Sequence, residues 1–285
     1  MQPSPLERVH FLQMVAGGLL LVGVAVGGAG CTSPAPQAGT YAPFGTVDTM
    51  ATTEVARDSV LAVLAHMNRT AFDSAFAQLD AYAVTRHVRT EQLDTIGVAT
   101  AFHERTLRYP PRTSDGTVQH ADSAGSFRGG GVFSGITPAQ QPTARPADLA
   151  AQALADQPAY LAPRTQEAYR YALRPDTLLN DTPVFVVEAK VHRDERGEDQ
   201  GIQYARLTID HSSHELVGLT TVRASRILLF RENSQITIRL RSAPDGEWVP
   251  RLTRFRAVVD VPFRTPRQFR TVSAYYGYEE REEDS

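Results

Sequence analysis

Apolar and polar side chains alternate with a period of two through much of the C-terminal half of this 285-residue chain. Across 184–192, Phe185, Val187, Ala189 and Val191 alternate with Val186, Glu188, Lys190 and His192. Across 203–210, Ala205, Leu207 and Ile209 alternate with Tyr204, Arg206 and Thr208; across 235–241, Ile236, Ile238 and Leu240 alternate with Thr237 and Arg239. Successive strand side chains point to opposite faces, so this pattern predicts strands with one buried face. Glu188 and Lys190 then read as a solvated pair on the polar face. Pro244-Asp245-Gly246-Glu247 has the residue chemistry of a turn, and His211-Ser212-Ser213-His214 reads as another. The segments 251–261 and 268–278 continue the pattern, and strands joined by short turns predict an antiparallel meander.

The N-terminal half has a different period. In 52–67, Val55, Leu61, Leu64 and Met67, flanked by Val60 and Val63, approximate helical spacing. Thr70 with Asp73 three residues on signals the start of a second short helix over 71–79, with Phe72, Phe76 and Leu79 on one face. Strands are predicted at 82–89, 98–109 and 117–120. Residues 124–147 lose any period and read as a loop, with a short helix at 147–155. The acidic tail 279–285 reads as solvated, and no internal repeat is visible.

The first thirty residues have the composition of a targeting segment. Glu7 and Arg8 are the only charged side chains before Asp48, an apolar run covers 11–26, and small residues follow at 27–30. That order makes a secretory signal, and the run is shorter than the about 20 residues of a membrane-spanning helix. Cys31, the only cysteine, comes next. The stretch Val26-Gly27-Gly28-Ala29-Gly30-Cys31 resembles the bacterial lipobox, where a signal peptidase cuts before a cysteine that has received diacylglycerol. Gly28 stands where that pattern prefers a leucine-like residue. The resemblance implies a lipid anchor on Cys31 after removal of residues 1–30. Thr32 follows in place of the aspartate that marks inner-membrane retention, which implies the periplasmic face of an outer membrane. Residues 31–47, rich in Pro, Gly, Ser, Thr and Ala, read as a flexible tether, and 48–278 as a single domain.

Composition narrows the function. The chain is 42% hydrophobic with a net charge of −3 and a single lysine, Lys190, so it lacks the basic excess that nucleic-acid binding needs. A monomer is expected. No nucleophile elbow, phosphate loop or zinc-protease motif is present. His103-Glu104 lacks a second histidine, and Gly129-Gly130-Gly131 lacks the lysine and helix start of a phosphate site. Asp210, His211 and His214 offer metal-ligand atoms but sit where a polar turn is expected. No catalytic residue, metal or cofactor is assigned. The one charge feature is a run of six arginines, Arg251, Arg254, Arg256, Arg264, Arg267 and Arg270, against the single acid Asp260. It reads as contact with lipid headgroups or phosphate, or as charge that guards edge strands against aggregation. Alternation divides these arginines between two faces. Tyr275, Tyr276 and Tyr278 close the last strand, as cavity lining or as rim packing.

Helices, then sheet, then a helical insertion, then more sheet: on a lipid-anchored chain this order resembles the LolA/LolB-like superfamily of periplasmic lipoprotein carriers and receptors, over residues 50–278. The most similar stretch is 204–222, a strand ending at Ile209-Asp210, a polar turn and a returning apolar strand, followed by Trp248-Val249-Pro250. The resemblance implies an α+β fold: a curved antiparallel sheet, an unclosed half-barrel, with N-terminal helices and the 124–165 insertion over its concave face. It also implies a non-catalytic function, holding an acyl chain, a lipid or the lipid of another lipoprotein. An envelope scaffold without a small ligand is the alternative, and an envelope hydrolase the third reading.

Overall fold

Every period-two segment forms a strand. The computed structural model describes residues 57–113, 115–127, 158–179, 182–192, 201–227, 230–260 and 265–280. The signal segment, Cys31, the tether, Gly129 to Gly131, the expected helix at 147–155 and Arg264 lie outside them. Two short helices, α1 (Arg57–His66) and α2 (Thr70–Ser74), and a 3-10 turn (Gln78–Ala81) precede three strands: β1 (Tyr82–Leu93), β2 (Ala99–Tyr109) and β3 (Thr117–Ala124). Seven strands follow: β4 (Tyr169–Leu179), β5 (Thr182–Val191), β6 (Gly201–Asp210), β7 (Leu216–Ile227), β8 (Phe230–Ser242), β9 (Trp248–Asp260) and β10 (Arg267–Glu280).

The ten strands make one sheet in the order β3-β2-β1-β10-β9-β8-β7-β6-β5-β4. All nine pairings are antiparallel. The sheet is an unclosed half-barrel in an α+β fold, as expected. β4 to β10 form the meander, and the β1-β2-β3 unit docks through β1 onto β10. The connection from β3 to β4 therefore links the two opposite edges of the sheet.

Helices and sheet share one core. Val60 and Leu64 of α1, Phe72 of α2, and Phe76 and Leu79 pack with Leu207, Ile209, Leu216, Ile238, Leu240 and Tyr275. Each such apolar side chain contributes about 1.5–3 kcal/mol when fully buried. Backbone hydrogen bonds fix the helices at one end of the sheet. Asn68 N–H donates to the His214 carbonyl at 2.8 Å, and Leu216 N–H to the Asn68 carbonyl at 2.9 Å. Tyr82 donates its hydroxyl to Asp245 in the β8–β9 turn, and Trp248 donates its indole N–H to Glu215.

Three expectations need correction. The helix over 71–79 breaks into α2 and the 3-10 turn. Asn68 Oδ1, not Thr70, accepts the first free N–H, that of Thr70, at 3.0 Å. The Ser74 hydroxyl donates back to the Thr70 carbonyl at 2.9 Å, a side-chain bond that competes with helix continuation. The buried face survives the break: Phe72, Phe76 and Leu79 are all core residues. Strand β4 falls where no element was expected; proline is tolerated on an edge strand, and β4 is an edge with a register shift between Arg174 and Thr177. Strand β3 runs on past residue 120 to Ala124 as an exposed edge. At the start of the acidic tail, Glu279 and Glu280 belong to β10; Glu279 is exposed, as expected, and Arg108 pairs with it at 2.6 Å.

The last correction concerns Glu188 and Lys190, which are 0% and 8% exposed rather than solvated. Their cross-strand partners are Arg206 and Tyr204. Arg206 donates to Glu188 Oε1 at 2.5 Å and the Tyr204 hydroxyl donates to it at 3.0 Å. A polar phase in the sequence marks which face a residue takes, not whether its neighbours cover it.

Candidate functional site

The helix-covered face of the sheet changes character from one side to the other. Register places one residue per strand in a row: Leu173, Val187, Leu207, Leu219, Ile238, Thr253, Ser273, Val88 and Arg105, from β4 through to β2. The next row runs Tyr171, Ala189, Ala205, Thr221, Ile236, Phe255, Thr271, Thr90 and His103. The β4–β8 side is mostly aliphatic. The β9-β10-β1 side carries hydroxyls, and Thr90, Thr253, Thr271 and Ser273 are all buried. The Thr90 and Thr271 hydroxyls bond each other at 3.1 Å.

Arg86 lies in this hydroxyl-bearing half. It sits between Leu107 of β2 and Tyr275 of β10 in the register, and it is 6% exposed. Its Nε and Nη2 donate to the Ser273 hydroxyl at 3.3 and 3.1 Å. The Tyr275 ring centroid is 5.8 Å from the guanidinium carbon, and Phe76 meets that ring edge-on at 6.4 Å. Burial works against the charge on Arg86, but the Tyr275 and Tyr109 hydroxyls outweigh it and the pKa is raised. The guanidinium therefore stays cationic inside the fold. Burial raises the Tyr275 pKa in turn, with Arg86 opposing.

A bulge shapes this corner. Ala83 faces Glu279 while Thr85 faces Tyr276, so β10 holds one extra residue. Gly277 takes the left-handed conformation there, with φ at 64°. The bend lets Tyr275 and Tyr278, three apart, both reach the core while Tyr276 stays 45% exposed.

The six arginines singled out in the sequence are not gathered into one patch. Arg254, Arg256 and Arg270 share the outer face, since Arg270 faces Arg256 and Val272 faces Arg254. Arg267 falls in the opposite phase. Arg251 is the extra residue of a bulge between Pro250 and Leu252 and is exposed. Arg270 is buried and donates to Glu91. Glu91 also accepts from Arg89 at 2.8 Å, and Arg89 reaches Glu104 at 2.5 Å. The Arg89 guanidinium lies 4.2 Å from the Phe102 ring centroid. Arg256 donates to Gln268 at 3.0 Å, and its pKa is lowered by burial and by Arg270.

Asp210 is committed to its turn. Its Oδ1 accepts from the Ser212 N–H at 2.9 Å, the Ser213 N–H at 2.9 Å and the Ser212 hydroxyl at 2.6 Å. Burial acts to raise its pKa, but these bonds prevail and lower it. His211 packs on Phe185, with ring centroids 4.5 Å apart.

Sequence reasoning passed over Arg86. The signal was present: Val84, Arg86 and Val88 hold one phase of β1, so an arginine occupies an otherwise apolar stripe.

The chain matches no protein-family model and no curated sequence. Solved structures similar to it include the following two. A DUF1329 family protein from Desulfovibrio piger has 10% identity, covering 78% of this chain and 92% of the other, with a TM-score of 0.24. A domain described as outer membrane lipoprotein-sorting protein, from Vibrio parahaemolyticus, has 12% identity, covering 80% and 95%, with a TM-score of 0.27. At these scores neither likeness bears on ligand or partner.

Proposed function

We propose that this protein is a membrane-anchored, non-catalytic lipoprotein that holds an acyl chain, or a lipid-bearing ligand, against the inner face of its half-barrel. The observation that carries this reading is the aliphatic part of the inner-face register. Leu173, Val187, Leu207, Leu219 and Ile238 cross five adjacent strands without a polar residue; the helices cover them in the core, so a bound chain would take the place of the helices' apolar side chains over this face. An acyl chain takes its binding energy from such a surface, about 0.8 kcal/mol for each CH₂ it buries. The lipid on Cys31 and the periplasmic face of an outer membrane belong to the same proposal, supported by the lipobox-like stretch before Cys31. Among the described residues, no helix is long and apolar enough to cross a membrane.

The test is native mass spectrometry of the protein after gentle extraction. The expected result is a bound species with the mass of a lipid, released by stronger activation. An apo mass, together with failure to take up added long-chain lipid, would overturn the reading in favour of an envelope scaffold. That alternative would then require a reproducible partner in crosslinking.

A further inference from the structure

Several arginines of this sheet have an acid beside them. Arg270 has Glu91, Arg89 has Glu91 and Glu104, Arg206 has Glu188, and Arg108 has Glu279. Arg86 departs from this pattern. It is as buried as Arg270, yet among the described residues no carboxylate pairs with it, and the groups that face it are neutral hydroxyls: Ser273, which accepts from it, with Tyr109 and Tyr275 beside it. Burying a charge without a counter-charge is costly, and neutral hydroxyls cannot neutralise a guanidinium. The planar donor fork of arginine matches a carboxylate or a phosphate.

Position adds a second observation. Arg86 shares the inner face with the aliphatic rows, in the half where Ser273, Thr253, Thr271 and Thr90 bring hydroxyls. From β1 to β7 the sheet crosses four strand spacings, about 19 Å at 4.7–4.9 Å each. One face thus presents a buried cation, a hydroxyl-bearing zone and an aliphatic zone in succession.

We propose that Arg86 receives the anionic head, a carboxylate or phosphate, of a single-chain amphiphile whose chain lies toward β8 and β7. The proposal rests on the reading of the inner face as a ligand surface and specifies the class of ligand. Ser273 and the Tyr275 ring hold the guanidinium in place for it.

The test is native mass spectrometry of the full chain in a non-ionic detergent, titrated separately with oleate, methyl oleate, lysophosphatidate and inorganic phosphate. The unaltered protein is expected to bind oleate or lysophosphatidate at least tenfold more tightly than methyl oleate, and inorganic phosphate far more weakly than either. Arg86→Gln should abolish the preference for the anion while leaving methyl oleate binding in place. Arg86→Lys should keep most of the preference, and Arg239→Gln, at an exposed position, all of it. Equal affinity for oleate and methyl oleate in the unaltered protein would overturn the proposal and leave the apolar-ligand reading standing. So would an Arg86→Gln protein that keeps the preference. Inorganic phosphate binding as tightly as lysophosphatidate would overturn the amphiphile assignment. Binding of none of the three lipids would overturn both readings. Should Arg86→Gln fail to fold by circular dichroism, the acid–ester comparison on the unaltered chain decides.

Discussion

Single side chains show how this sheet manages charge. The Glu91 and Arg270 side chains are 4% and 9% exposed, and Arg256 stands directly opposite Arg270. Removing the acid alone would take away the carboxylate that accepts from both Arg270 and Arg89. Glu91→Ala should cost about 3–5 kcal/mol in urea denaturation, the usual cost of breaking a buried pair from one side. The double change Glu91→Leu with Arg270→Met should cost markedly less, because no charge is then stranded. An equal loss in both proteins would mean that packing, not charge, dominates there. Asp210 makes a different prediction. Its folded-state pKa is depressed by the bonds from Ser212 and Ser213. The stabilisation is therefore in place above the unfolded value of about 3.9. It is lost as pH falls from there through the folded value. Asp210→Asn should flatten the stability profile below about pH 4 relative to the unaltered protein. An unchanged acid limb would show that other carboxylates account for it.

At the scale of the element, what was legible in the sequence follows from what alternation records. Strands β5, β6 and β8 stand out because one phase of each is aliphatic. Strand β4 did not: Pro175 lacks an N–H for the ladder, and only its place at the sheet edge admits it to a strand. Alternation assigned Glu188 to the right face but could not say that Arg206 and Tyr204 cover it. It also put Arg86 in an apolar phase with Val84 and Val88, but only the folded pairing reveals which arginines have acids beside them. The β10 bulge was likewise hidden: Gly277 reads as one glycine within a tyrosine-rich strand, and its role depends on β1 across the ladder. A Cβ at Gly277 would meet nothing closer than Arg108 Nη1 at 3.5 Å, so space is not the constraint. The constraint is φ at 64°. Gly277→Ala should therefore destabilise by about 1–2 kcal/mol, the cost of a left-handed L-residue. Gly218, whose φ is not in that region, would place a Cβ 3.2 Å from Thr208 Cβ. Gly218→Ala tests steric crowding in its place. If Gly277→Ala were neutral in thermal denaturation, the bulge would have another way to turn.

For the whole molecule, the question is how the sheet and the anchor divide the work. The core joins α1, α2 and the strands from β1 to β10, and Cys31 lies 26 residues before the first residue of α1, Arg57. On the proposed organisation the fold should owe nothing to that cysteine, and membrane attachment should owe almost everything to it. The energetics favour a clean separation. Each buried acyl CH₂ adds about 0.8 kcal/mol and one chain binds only marginally, so stable attachment needs more than one chain on the anchor. Cys31→Ser removes the acceptor for all of them at once. The variant should melt at the same temperature as the unaltered protein and keep its preference for oleate over methyl oleate. It should also pass from the membrane pellet to the soluble fraction after cell disruption. A variant that still sediments with membranes would mean that another part of the chain binds the bilayer. The exposed outer-face Arg254 and the bulged Arg251 would then be the first residues to change, and release of the Cys31→Ser protein by high salt would identify their contact as electrostatic.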